Sequence, residues 1–135
     1  MAIFVDTNVF VALRNADDKL HERSKKLMRR ALKAEFGRIY TSDYVIDEAI
    51  TVALLRTKRL DLAIDIGKYI MDSPRITKLW TTKDVFNHAW QIFQNLKNKF
   101  LSFTDCVTLA HIQKNQINQI LSFDSNFDGL VQRIC

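Results

Sequence analysis

The sequence predicts an α/β fold, a three-layer α/β/α sandwich around a central parallel sheet of about five strands. Two observations predict it. Short β-prone apolar runs recur along the chain, and segments of helical periodicity separate them, so consecutive strands must be joined by crossovers. With 135 residues, 47% of them hydrophobic, and only 3 Gly and 1 Pro, residues 1–135 read as a single domain that folds without disulfides or a structural metal.

The first strand is Ala2 to Val5, an apolar run that stops at Asp6, and a short helix follows over Val9 to Ala16. From Leu20 to Glu35, Leu27, Met28, Ala31 and Leu32 share one helical face while Lys25, Lys26, Arg29, Arg30 and Lys33 take the other. Gly37 supplies a stop signal for that helix, and Arg38 to Thr41 forms the second strand. Ser42-Asp43 offers capping groups for a helix running to about Arg56, with Ile46, Ala49, Ile50, Ala53 and Leu54 facing the core. Thr57-Lys58-Arg59 connects it to a helix over Leu60 to Met71, giving a helical hairpin.

Pro74 breaks the chain, because proline disfavours helical geometry in the residue before it, and Ile76 to Trp80 is the third strand. Thr82 to about Asn98 carries Val85, Phe86, Ala89, Trp90, Phe93 and Leu96 at helical spacing, an aromatic stripe read as core. A helix from Asp105 to about Asn115 precedes a fourth strand over Gln119 to Phe123, and Leu130 to Ile134 is the fifth.

Several function classes lack their signatures. No G-x-G-x-x-G, G-x-x-x-x-G-K-[ST] or G-x-S-x-G pattern occurs. Cys106 and Cys135 belong to no C-x-x-C pair, and His21, His88 and His111 share no short spacing, so zinc has no ligand set and the histidines are given no role. The opening apolar run meets Asp6 too early for a signal peptide, and no apolar run approaches about 18 residues. The expectation is a cytoplasmic protein without a membrane partner. Its 20 Lys+Arg against 15 Asp+Glu, a net charge of +5, suit a polyanionic partner.

Ligands of open parallel sheets bind at the carboxyl ends of the strands. Asp6 ends the first strand and Asp124 follows the fourth, Asp105 lies in the first turn of the helix before the fourth strand, and Glu48 lies one turn into the helix after the second. Each has a local explanation, as helix cap, dipole partner, solvated side chain or Asx turn. Together they would repel one another unless protons or cations compensate, and oxygen-only ligands favour Mg²⁺ or Mn²⁺. Asp47 competes with Glu48, but adjacent helical residues point about 100° apart, so only one of them can face the site.

These residues resemble a known family. Asp6-Thr7-Asn8 after an N-terminal strand, a Glu after the second strand, Phe103-Thr104-Asp105 opening a late helix, and Leu121-Ser122-Phe123-Asp124-Ser125-Asn126-Phe127-Asp128 look like a PIN domain over the whole chain. The size and element order look most like VapC-type toxins of prokaryotic toxin–antitoxin pairs. The resemblance places the family's four acidic positions on Asp6, Glu48, Asp105 and Asp124, as catalytic and metal-ligating residues. Asn8 and Thr104 match its supporting polar positions, and Asp128 is a candidate fifth acid.

What the resemblance implies is hydrolysis of RNA phosphodiesters with one or two Mg²⁺ or Mn²⁺ ions, leaving 5′-phosphate and 3′-hydroxyl ends. It also implies an antitoxin that occludes the pocket, and a homodimer, for which Val52, Leu55 and Leu62 are candidate contacts. Without the four acids, 11 acids face 20 bases, a background of about +9; Arg14, Lys25, Arg29, Arg56, Lys58, Arg59, Lys97 and Lys99 are candidate RNA contacts. A housekeeping RNA-processing nuclease and a non-catalytic RNA-binding or assembly module are the alternatives within the family. A haloacid-dehalogenase-type phosphatase needs a second Asp where Asn8 stands, and a receiver-like domain needs paired acids at the first strand's end.

Overall fold

The computed structural model describes residues 1–135. The elements are β1 (Ala2–Val5), α1 (Thr7–Arg14), α2 (His21–Leu32), β2 (Arg38–Ser42), α3 (Asp43–Thr57), α4 (Leu60–Asp72), β3 (Ile76–Leu79), α5 (Lys83–Gln94), α6 (Phe103–Lys114), β4 (Gln119–Leu121) and β5 (Gln132–Ile134). A single 3₁₀ turn, Ser125–Phe127, lies between β4 and β5. The five strands form one sheet in the order β3-β2-β1-β4-β5, and every pair is parallel. The helices flank it as the expected three-layer sandwich.

β1 is innermost, and Ile3, Phe4 and Val5 are fully buried, as a strand covered on both faces requires. The helices supply complementary stripes: Leu27, Met28 and Ala31 from α2, Ile46, Ala49 and Ala53 from α3, Leu62, Ala63, Ile66 and Ile70 from α4, and Val107 and Ala110 from α6. Leu62 is therefore part of the core and unavailable to a second copy, whereas Leu55 is exposed and Val52 is half-buried. Gly67 lets α4 approach α3, because a Cβ there would lie 2.9 Å from Ile50 Cδ1.

Several boundaries move for local reasons. The Asp6 carboxylate accepts the Thr7 N–H, so α1 begins two residues sooner than the apolar pattern suggests. α2 stops at Leu32: Ala34 turns left-handed (φ 63°), and the Glu35 N–H reaches back to the Arg30 carbonyl at 3.2 Å. Gly37 serves the next turn instead, at φ 83° with the Met1 backbone against it. β4 ends at Leu121: the Ser122 N–H still donates to the Ile134 carbonyl at 3.1 Å, but the Phe123 and Asp124 N–H groups turn to the Asn8 and Ser122 side chains.

The aromatic stripe of α5 is the clearest departure. Val85 and Ala89 are buried, but Phe86, Trp90 and Phe93 remain 42%, 49% and 39% exposed. Phe86, Trp90 and Phe93 gather edge-on around Phe103 at ring separations of 5.2–6.3 Å, and Trp90 stacks on Phe93. α5 packs chiefly on α6, and one helical neighbour cannot cover a stripe this wide.

A partly buried polar cluster joins three segments at the carboxyl edge of the sheet. Asp43, opening α3, accepts both the Thr81 hydroxyl (2.6 Å) and the Thr81 N–H (3.1 Å). His111 of α6 lies with Nε2 2.9 Å from the same hydroxyl oxygen. Since the hydroxyl proton goes to Asp43, Nε2 must donate. Burial pushes the His111 pKa below its ordinary value.

Two stability outcomes follow from these contacts. Gly37→Ala places a Cβ 2.0 Å from the Met1 carbonyl oxygen in a left-handed backbone, whereas Gly129→Ala at the same φ of 83° meets nothing within 4 Å. In urea unfolding, Gly129→Ala should cost about 1–2 kcal/mol and Gly37→Ala clearly more; equal losses would mean that the Met1 contact carries no weight. Thr81→Val, which strands Asp43 and His111, should cost about 1–3 kcal/mol, and a neutral result would show that the cluster adds nothing.

Candidate active site

β1 delivers Asp6 to the middle of the sheet's carboxyl edge. The Asp6 N–H still donates to the Leu121 carbonyl of β4 at 3.0 Å, so the backbone is fixed by the ladder up to the residue that carries the carboxyl. The side chain is 3% exposed. Oδ1 accepts the Thr7 N–H at 2.8 Å and Oδ2 accepts the Ser122 hydroxyl at 2.6 Å.

Ser122 connects two acids. Its Oγ donates to Asp6 and accepts the Asp124 N–H at 3.0 Å, while the Asp124 carboxylate caps the 3₁₀ turn by accepting the Asn126 N–H at 2.9 Å. Asn8 accepts the Phe123 N–H at 3.2 Å, and the Thr41 hydroxyl donates to the Val5 carbonyl at 3.0 Å. The ends of β1, β2 and β4 are thereby laced together.

Asp105 closes a capping box: its N–H donates to Ser102 Oγ and its Oδ2 accepts the Ser102 N–H, both at 3.1 Å. The structural and site placements of this residue coexist, since one carboxylate can cap α6 and border the cleft. Glu48 is half-buried one turn into α3, and Asp47 is exposed. The result is a cleft of about 260 Å³ walled by Asp6, Glu48, Asp105 and Asp124, together with Thr7, Asn8, Ser102, Val52 and Arg56.

Asp47 and Thr104 are not on this wall. Asp128 is exposed and engaged by Arg133 through two hydrogen bonds, at 2.7 and 3.1 Å. Ser122 is the residue that sequence reasoning passed over, because a serine between an apolar strand and an acidic turn has no distinctive spacing.

Burial raises the Asp6 pKa from 3.8 to about 7 against the Ser122 and Thr7 hydrogen bonds, and the charges of Asp105 and Glu48 push the same way. Asp105 rises to about 6, mainly by desolvation, with Asp124 and Glu48 adding repulsion. The cleft therefore holds protons up to about pH 6 to 7 that isolated carboxyls release near pH 4.

The chemistry of the donor set fits a hard divalent cation: every candidate ligand is an oxygen, and the most buried carboxyl is destabilised as an anion. Thr7 Oγ1 is buried on the same wall without a partner. No three Asp, Glu, His or Cys side chains are drawn together closely enough to hold a metal ion as they stand.

The PIN domain family matches residues 3–131. The chain belongs to that family. It is 30% identical over 127 residues to the 23S rRNA-specific endonuclease VapC20 of Mycobacterium tuberculosis, covering 94% of this chain and 92% of that protein. The crystal structure of that Sarcin-Ricin loop cleaving toxin superposes with a TM-score of 0.84 at 26% identity, covering 95% of this chain and 94% of the other. A VapC ribonuclease of Archaeoglobus fulgidus is 24% identical over 128 residues, 94% of this chain and 80% of that one. A toxin–antitoxin complex from Klebsiella pneumoniae shares the fold at a TM-score of 0.67 and 18% identity, over 100% of this chain and 97% of that one. This PIN-domain chain thus resembles VapC-type toxin ribonucleases in sequence and in shape.

The raised Asp6 pKa fixes the sign of a pH effect. Between about pH 4 and 7 the folded, metal-free chain keeps a proton that the unfolded chain releases, so this contribution to stability is largest near pH 4 and is lost as pH rises through 7. A shift of about three units corresponds to about 4 kcal/mol. His111 acts in the opposite sense, costing stability as pH falls below about 6.5, and does so equally in both chains when wild type is compared with Asp6→Asn. In EDTA, Asp6→Asn should be the more stable chain at pH 7.5, with the gap shrinking towards pH 5; a pH-independent gap would contradict the buried-carboxyl account.

Proposed function

We propose that this PIN-domain chain is a Mg²⁺- or Mn²⁺-dependent ribonuclease, the toxin of a toxin–antitoxin pair. The observation that carries the proposal is the convergence of Asp6, Glu48, Asp105 and Asp124 on one cleft at the carboxyl edge of the sheet, in a chain matching the PIN family nearly end to end. The likeness to VapC ribonucleases supports RNA as substrate. A shared fold with chains from toxin–antitoxin complexes supports an antitoxin partner. The exposed apolar residues Leu55, Leu60 and Ile64 on the α3–α4 hairpin support contact with an antitoxin or a second copy. No helix is long and apolar enough to cross a membrane, and a cytoplasmic location belongs to the same proposal.

In this reading Asp6 and Asp105 are the principal metal ligands, with Glu48 and Asp124 completing the set directly or through water. Bound there, a divalent ion supplies an activated water and neutralises charge on the scissile phosphate and the departing 3′ oxygen. The chain's own groups do the rest. Ser122 holds Asp6 in one rotamer and fixes the loop carrying Asp124. The Asn8 contact to Phe123 keeps the α1 entrance and the β4 exit in register. An ionised carboxylate on the wall orients the attacking water and accepts its proton.

Cleavage of a mixed structured RNA pool should occur with Mg²⁺ or Mn²⁺, stop in EDTA, and fall about a hundredfold or more in folded Asp6→Asn and Asp105→Asn. Mn²⁺ should raise the Tm of the unmodified chain at pH 7.5 more than at pH 5, since binding must displace the retained protons. Mn²⁺ binding without cleavage of any RNA would favour a non-catalytic RNA-binding module. Absence of both Mn²⁺ binding and RNA cleavage would overturn the metal-site reading.

A further inference from the structure

Arg56 is the sole cation on the wall of the acidic cleft. It stands two helical turns beyond Glu48 on α3, with Val52 between them; positions i, i+4 and i+8 share one face, about 12 Å from end to end along the axis. The guanidinium is exposed. A cation near four carboxylates would ordinarily be spent on one of them, but Arg56 is not.

None of the ion pairs involves Arg56, while Arg14, Arg30, Arg59 and Arg133 are committed to Asp65, Glu35, Asp61 and Asp128. No hydrogen bond fixes it either. Arg59, three residues away on the same hairpin, instead closes on Asp61 with a fork of two contacts at 2.8 and 3.3 Å. The Arg56 guanidinium thus lines the acidic cleft with its five donors in no ion pair or hydrogen bond to the carboxylates there.

We infer that Arg56 binds a backbone phosphate next to the scissile one, gripping its two non-bridging oxygens and steering the RNA strand along the Glu48–Val52–Arg56 face into the cleft. The assignment rests on the ribonuclease reading above. It names the side chain that makes an acidic cleft acceptable to a polyanion at the point of entry, where a planar fork matches a phosphate better than an ammonium does. It also explains why a basic residue occurs on a face otherwise given to an acid and a valine. Arg56 is a substrate-positioning residue with no role in proton transfer.

The test uses the full chain and its Arg56→Ala and Arg56→Lys variants, with Arg75→Ala as a control. Arg75 lines a separate hollow near the start of β3, at the opposite edge of the sheet. Binding of a fluorescently labelled, mixed-sequence RNA oligonucleotide is followed by anisotropy from about 50 to 200 mM salt, with Ca²⁺ replacing Mg²⁺, beside cleavage of the structured RNA pool in Mg²⁺. Arg56→Ala should weaken binding about tenfold and lower the slope of log affinity against log salt by about one, with kcat/KM falling mainly through KM. Arg56→Lys should restore the slope and only part of the affinity. A merely structural arginine would change Tm and leave the slope alone. If the unmodified chain cuts RNA and Arg56→Ala matches it, or loses no more than Arg75→Ala, the phosphate assignment is wrong while the ribonuclease reading stands. If the unmodified chain neither binds nor cuts RNA, both are wrong.

Discussion

Burying a carboxyl at the end of the innermost strand sets the terms for everything around it. Asp6 follows three fully buried residues of β1 and is itself 3% exposed, where an unassisted carboxylate would be several kcal/mol out of balance. The surroundings answer in two ways. Thr7 N–H and the Ser122 hydroxyl occupy its two oxygens, and the remaining cost appears as a pKa near 7. A fold that kept such a group only for packing would do better with an apolar side chain, which supports the proposal that Asp6 holds a cation.

Parallel strand topology determines which other residues share that position. With the order β3-β2-β1-β4-β5, the connections leaving β1, β2 and β4 open at one edge. Asp6 and Asp124 arrive on the strand exits, Glu48 on the helix leaving β2, and Asp105 on the first turn of the helix leading into β4. The Asp43–Thr81–His111 cluster then ties α3 to α6, the helices carrying Glu48 and Asp105. Rigidity behind the cleft thus comes from a neutral histidine and a threonine that take no part in its wall, which keeps like charges near one another without letting their helices separate.

Electrostatics is divided by depth. The cleft floor is acidic and poorly solvated, the outer surface carries the excess of basic groups, and Arg56 stands at the boundary between them. Arg14, Arg30, Arg59 and Arg133 are satisfied by adjacent acids, whereas Arg56 lines the acidic cleft without pairing to it. That contrast separates a positioning group from a solvated charge, and residue type alone could not have shown it among the eight basic candidates.

The alternation of strands and helices and the four acids near the strand ends were legible in the sequence, because those features depend on local periodicity and on where a strand meets a charge; that β1 is innermost came from the sheet order. The sequence misled where a residue's surroundings are assembled from distant segments. The α5 aromatics have the spacing of a core face, yet a single neighbouring helix leaves Phe86, Trp90 and Phe93 partly exposed. Leu62, open in the sequence to either a dimer contact or core packing, is packed inside. Asp128 lies four residues past Asp124 and is engaged by Arg133 of β5, while Ser122, featureless in the sequence, bridges Asp6 and Asp124. Tertiary structure decided these because hydrogen bonds across the sheet edge and the width of a helix's neighbour are properties of pairs far apart in the chain, which periodicity cannot encode.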